Sequence, residues 1–251
     1  SKGNTVREYS SEQSDHQSCL LSNMDPRTSF ELTFPAKDRG MHEWTWDLRE
    51  NDLPCIENIT NFYGYAGNSV TSGNYTATIT AGDLSESVSI DLIADPRVTA
   101  TADEMETWTQ SRIELTSLFG RIITTLGQAR KASSQLSALM IDYPQAPELQ
   151  NPAQSAIEKL LQWDHKIIQP LHETGEDEDA WPVMLLSQVK ALLDAVSDSG
   201  APVSAGALER IGDLQREWQM LRVELDEITN GEISTVNAWA KANDVGHVAS
   251  P

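Results

Sequence analysis

The chain reads as two architectures in tandem, an immunoglobulin-like β-sandwich over residues 1–98 and an antiparallel four-helix bundle over residues 99–251. Three observations predict this. Apolar residues alternate with period two up to Asp95-Pro96-Arg97-Val98 and recur every three or four residues beyond it, the spacings of sheet and of helix. The alternating runs are short and separated by turn residues, as in a sandwich. The later part holds four apolar stripes bounded by caps, Pro and Gly.

In the first part, Lys2-Gly3-Asn4 reads as a turn that leads into a strand at Val6-Arg7-Glu8-Tyr9. A hairpin turn needs a strand on each side, so the sandwich is expected to lack its first strand and the chain to be a fragment. Residues 10–28 are polar and irregular. Phe30, Leu32 and Phe34 alternate and Pro35 closes that strand. In 41–49, Trp44, Trp46 and Leu48 point one way and Thr45, Asp47 and Arg49 the other. Residues 50–71 form a long loop. Tyr75, Ala77 and Ile79 lead to a tip at Ala81-Gly82-Asp83, and Val88, Ile90 and Leu92 return.

In the second part, Thr101 and Glu104 form a capping box with Asp103 beside the helix dipole. The stripe Met105, Trp108, Arg112, Leu115, Phe119, Ile122, Leu126, Ala129, Ser133, Leu136, Met140 keeps a three-four spacing over eleven positions, nine of them apolar. It predicts a long helix over about 102–141, ended by Pro144 and Pro147. Asn151-Pro152 opens a second helix, 152–172, with Pro170 as a kink or stop. Trp181-Pro182 opens a third, 181–198. Ser204 caps a fourth, 204–241, in which Asn230-Gly231 shifts the stripe out of phase and predicts a local irregularity.

Composition excludes some functions. The net charge is −20, and both parts share it, with 7 basic against 15 acidic groups in residues 1–100 and 11 against 23 in the remainder. Nucleic-acid binding needs a basic face, and anionic membrane surfaces are disfavoured for the same reason. No apolar run reaches the roughly 18 residues needed to span a bilayer. Two cysteines, Cys19 and Cys55, are compatible with a disulfide or with two free thiols and cannot alone make a zinc site. Asn58-Ile59-Thr60 and Asn74-Tyr75-Thr76 match the glycosylation pattern, but so short a pattern recurs by chance.

Candidate chemistry is sparse. Asp47, Glu50 and Asp52 lie near the Trp pair, and glycoside hydrolysis uses paired carboxylates. The favoured reading puts both Trp residues in a sandwich core and the acids in solvent. His165 and His172, with Glu173 and the acidic run 176–179, resemble a metal-ligand set interrupted by Pro170; a solvated loop is the simpler reading of the acidic run. Arg112, inside an apolar stripe, reads as a snorkelling or ion-paired side chain, with a docking role as the alternative. Tyr63 and Tyr65 in the 50–71 loop are the candidate ligand-binding aromatics. No triad motif or phosphate-cradling loop occurs, and no catalytic residue, metal or cofactor is expected.

The segment Gly40-Met-His-Glu-Trp-Thr-Trp-Asp-Leu-Arg49 resembles the G-x-N-R-F-x-W-D-L-R strand of large secreted bacterial proteins with sortilin-like, BNR-repeat β-propellers. Ser72-Gly-Asn-Tyr-Thr-Ala-Thr-Ile79, the Asp95-Pro-Arg-Val98 junction, Asp179-Ala-Trp-Pro182 and Ala201-Pro202 fit the same pattern; His42-Glu43, Cys55 and the 50–71 loop depart from it. The resemblance implies an Ig-like sandwich and helical bundle following a propeller that is often labelled glycosyl-hydrolase-like. It also implies a periplasmic, cell-envelope or secreted location and the N-terminal propeller as a partner. The expected function is a non-catalytic accessory region for docking, spacing or assembly. The alternatives are a carbohydrate-binding module and part of a hydrolase site completed by the propeller.

Overall fold

A computed structural model of the chain describes residues 3–23, 34–57, 59, 61, 63–172, 177 and 179–251. In chain order these form α1 (Asp15–Ser22), β1 (Gly73–Ala81), β2 (Leu84–Leu92), α2 (Ala102–Asp142), α3 (Pro147–Ile167), α4 (Leu185–Ser199), α5 (Ala205–Ile228), a π-helical turn (Thr229–Ile233) and α6 (Ser234–Ala242).

Helix α2 is the spine. Its 41 residues run about 60 Å at roughly 1.5 Å per residue. The capping box forms at its start: the Thr101 hydroxyl accepts from the Glu104 N–H, and the Glu104 carboxylate accepts from the Thr101 N–H. These bonds hold the Glu104 carboxyl below its ordinary range. Leu115, Leu118, Phe119, Ile122, Leu126 and Leu136 are fully buried. Helices α3 and α4 pack on α2, and α5 closes against both. Two indoles tie these layers by polar bonds as well as by area. The Trp108 Nε1 donates to the Val196 carbonyl of α4 (2.7 Å), and the Trp163 Nε1 of α3 to the Leu221 carbonyl of α5 (2.8 Å). Arg130 of α2 grips Asp164 of α3 with two bonds, 2.6 and 3.1 Å.

The helix bounds differ from the sequence reading where prolines are concerned. Helix α3 starts at Pro147, with that Pro in its first turn, and carries Pro152 inside. It ends at Ile167, because the residue before Pro170 is pushed out of the helical region. Trp181 lies in a bend and Pro182 in irregular chain, and α4 starts at Leu185. The phase shift at Asn230-Gly231 coincides with the π-helical turn, one residue of overwidth that re-aims Val236 and Ala240 into the core.

The expected immunoglobulin-like sandwich is absent. The described residues contain one regular sheet, the antiparallel pair β1–β2. The run expected at 6–9 is not a strand, nor is 41–49, apart from a single bridge between Arg49 and Ser69. Phe30 and Leu32 lie outside the described residues. Residues 10–28, read as irregular, include α1.

The physical reason is where the apolar side chains go. Leu53, Ile59 and Tyr65, on the loop, are buried in one cluster with Leu115, Phe119 and Ile122 of α2. The N-terminal region therefore uses the helices as its second layer, and its described residues build no second sheet. Trp44 is exposed and Trp46 half-buried, so they fill no sandwich core. Leu48, at φ 58°, breaks the extended run, since a left-handed residue cannot continue a strand.

Candidate functional site

The described residues of 47–70 form an irregular layer on α2, pinned by polar side chains. Backbone bonds run from Glu50 N–H to Asn68 O (2.8 Å), Leu53 N–H to Tyr65 O (2.7 Å) and Val70 N–H to Leu48 O (2.8 Å). Gly67 is required by close approach, because a Cβ there would sit 2.2 Å from the Asn51 carbonyl oxygen. Asn68 donates to the Thr116 hydroxyl of α2 (2.9 Å) and accepts from Ser197 of α4 (3.2 Å), while Ser187 of α4 donates to Asn61 (3.1 Å). Arg112 is buried on α2, stacks on the Trp108 ring at 4.4 Å and donates to the Ser69 carbonyl. Burial lowers its pKa, an effect opposed by the nearby Glu50 carboxylate. Arg112 thus docks the loop layer on the helix, with no carboxylate within ion-pair distance among the described residues.

Cys19 of α1 and Cys55 of the layer are joined in a disulfide. Asn23 reinforces the joint by donating to the Ile56 carbonyl (2.6 Å) and accepting from the Ile59 N–H (2.7 Å).

The two candidate ligand-binding tyrosines part company here. Tyr65 is 6% exposed, lies edge-on to Phe119 with ring centroids 6.1 Å apart, and donates its hydroxyl to the Ile59 carbonyl. Burial drives its pKa up. It is a core residue and offers no face to a ligand. Tyr63 is exposed.

A different aromatic group lies at the surface. Trp44 meets Tyr9 edge-on at 5.1 Å, and the Tyr9 hydroxyl donates to Asp47 (3.1 Å). Arg7 lies over the Tyr9 ring and donates to Asp52 (2.7 Å) and to the Glu50 carbonyl (2.9 Å), with Asp47 4.0 Å away. The acids considered for glycoside hydrolysis are therefore engaged: Asp47 and Asp52 share one guanidinium, and the Glu50 carboxylate accepts from Asn68 at 3.4 Å. Arg7, Tyr9, Asn23, Asn61 and Asn68 carry no periodic signal, and the sequence reading passed over their roles.

The metal-ligand reading places His165 near the end of α3 and His172 beyond it, off the helix that would have aligned them. Residues 173, 176 and 178 lie outside the described residues, as do Asn58 and Thr60. Among the described residues no three His, Cys, Asp or Glu side chains converge as a metal site, and no helix is long and apolar enough to cross a membrane.

The most unusual feature is the β1–β2 hairpin. Its register pairs Tyr75 with Ile90, Ala77 with Val88, Ile79 with Glu86 and Ala81 with Leu84. Gly82 supplies the positive φ, 59°, at the first position of its two-residue turn. Alternation gathers Tyr75, Ala77, Ile79, Ala81, Leu84, Val88 and Ile90 on one face, where Glu86 opposite Ile79 is the single charge, and Asn74, Thr76, Thr78, Thr80, Ser85, Ser87, Ser89 and Asp91 on the other. Trp46 packs edge-on against Tyr75 at 5.4 Å and anchors the base. Beyond that base the apolar face is uncovered: Ile79 and Leu84 are each 75% exposed and Val88 62%.

No protein-family profile, curated protein or solved structure matches this chain.

Proposed function

We propose that this chain is a non-catalytic interaction region, a helical body that carries a projecting hairpin for docking. The observation that supports this best is the hairpin's apolar face. Exposed apolar surface rimmed by polar residues commonly marks a binding site, and here Ile79, Leu84 and Val88 surround one charge, Glu86; a two-stranded hairpin is also marginal on its own in water. The disulfide fits an oxidising compartment, which agrees with the periplasmic, cell-envelope or secreted location implied by the resemblance. On that same reading the partner is the β-propeller of a longer protein.

The test is to replace Ile79, Leu84 and Val88 together by Thr. The proposal expects the melting temperature to move by no more than a few degrees, because surface changes fall within about 0.5 kcal/mol each. It also expects binding to the propeller to be lost. A fall in stability like that of a core substitution would show that the face serves the fold. Turnover of glycans or peptides by the isolated chain, abolished by Asp47→Asn or Asp52→Asn, would overturn the non-catalytic reading and favour a hydrolase site completed with the propeller.

Glycan binding is a second reading, favoured by one observation. Trp44 is exposed and braced by Tyr9, with Asp47 beside it as a hydrogen-bond acceptor. An indole face with adjacent polar groups suits a sugar ring. Trp44→Ala should abolish any signal on a glycan array; Tyr63→Ala tests the loop.

A further inference from the structure

We propose that β1 pairs, edge to edge and antiparallel, with β1 of a second copy of this chain, giving a four-stranded sheet about a two-fold axis at Ala77. This rests on the reading of the hairpin as an interaction element and assigns its open edge, as distinct from its apolar face, to a second copy.

The outer edge of β1 is open. In a hairpin with a two-residue turn, the residues flanking the turn exchange hydrogen bonds, and such pairs alternate along the ladder. Counting back from Ala81 and Leu84, the odd-numbered residues of β1 bond to β2. The N–H and C=O groups of Asn74, Thr76, Thr78 and Thr80 therefore point away from β2. No described residue bonds to them.

Proteins usually guard such an edge with Lys, Pro, a bulge or a covering element. Here Gly73–Ala81 contains no charge and no Pro, and its ladder to β2 is continuous over nine residues. Strand β2, in contrast, carries Glu86 and Asp91. The unguarded edge is thus specific to one side of the hairpin.

The strand is also self-complementary. About a two-fold axis at Ala77, Thr76 faces Thr78 of the second copy, Tyr75 faces Ile79, and Asn74 faces Thr80. These pairs join an aromatic to a β-branched side chain and hydroxyl to hydroxyl, the favourable cross-strand combinations. The phase agrees as well. The outward-pointing residues Asn74, Thr76, Thr78 and Thr80 fall opposite one another, so their backbone groups meet as donor and acceptor. The apolar faces of the two hairpins then lie on the same side and form one surface.

Charge does not oppose this edge locally. The acids of the two β2 strands are separated by three inter-strand spacings, about 14 Å, which exceeds the screening length of about 8 Å at physiological salt. The net charge of −20 on each copy acts at longer range, so pairing should tighten as salt is added.

The experiment is sedimentation velocity of the full chain over a concentration series at low and physiological salt. A dimer whose Kd falls with salt is expected. Ala77→Lys and Ala77→Glu each place like charges against themselves at the axis, and each should raise Kd by about tenfold or more. An equal mixture of the two variants should dimerise again as a heterodimer. Thr76→Pro removes an outward N–H without touching the ladder to β2 and should also give monomer. Far-UV circular dichroism and melting of each variant confirm that the helices are intact. A wild-type chain that stays monomeric throughout would overturn the proposal, as would a dimer indifferent to Ala77→Lys and Thr76→Pro. Monomer with a stability-neutral Ile79, Leu84 and Val88 variant would leave the hairpin a docking face for another protein and sink only the self-pairing.

Discussion

The loop layer and the hairpin are neighbours in the N-terminal part of the sequence, yet they meet opposite fates. The layer places Leu53, Ile59 and Tyr65 in the helical core and fastens itself with Arg112, Asn68, Asn61 and a disulfide. The hairpin keeps a regular ladder and leaves Ile79, Leu84 and Val88 in solvent. The contrast shows that regular secondary structure and contribution to the core are separable. The irregular segment is integral to the fold, and the regular one is peripheral to it.

Substitutions can break that contrast, and the largest effect should come from the helical body. Trp163→Ala removes a fully buried indole and its bond to Leu221. It should lower the unfolding free energy by about 3–5 kcal/mol in chemical denaturation. Reducing the Cys19–Cys55 bridge, or replacing both residues by Ser, opens a closure of 36 residues and should cost about 2–4 kcal/mol. Hydrogen exchange should then rise in residues 53–65 before it rises in α2. Arg112→Ala leaves the Ser69 carbonyl without its donor and should cost about 1–3 kcal/mol. Arg112→Met, which removes the buried charge but keeps the volume, should cost less.

A smaller effect is set by pH. The Lys159 ammonium, hydrogen-bonded to Glu232 on the π-helical turn, holds that carboxyl below its ordinary 4.5. The folded value lies below the unfolded one. The stabilisation is therefore complete above the unfolded value and lost as pH falls through the folded one. The protection of the Thr229–Ile233 amides against hydrogen exchange, measured relative to the intrinsic rate at each pH, should fall below about pH 4.5 in the wild type. In Lys159→Met this acid dependence should be reduced.

What could be read from the sequence was what is local. The capping box at Thr101 and Glu104, the three-four stripe of α2 and the phase break at Gly231 each act within a few residues, and the structure has a feature at each. Proline is ambiguous in a sequence. Pro147 reads as the end of one helix, whereas it opens the next, and Pro152 reads as the start of a helix already under way. The sandwich expectation fails because alternation reveals a half-buried surface and not what covers it. Trp44, Trp46 and Leu48 alternate like a strand, but Leu48 turns left-handed and the run pairs only at its end, in the Arg49–Ser69 bridge. The loop's burial against α2 depends on Asn, Ser and Arg contacts that span 43 to 129 residues. Their spacing leaves no pattern to find. The aromatic-acid patch is equally non-local, since it joins Arg7 and Tyr9 to residues 44–52.

The central claim is that the hairpin lies outside the cooperative core whereas the layer beneath it lies inside. Replacing residues 74–91 by a short glycine-serine linker and recording thermal unfolding at low protein concentration tests it most directly. The account predicts a single transition, with all helical signal retained, within a few degrees of the wild type. Loss of the transition, or a fall comparable to that of Trp163→Ala, would contradict it.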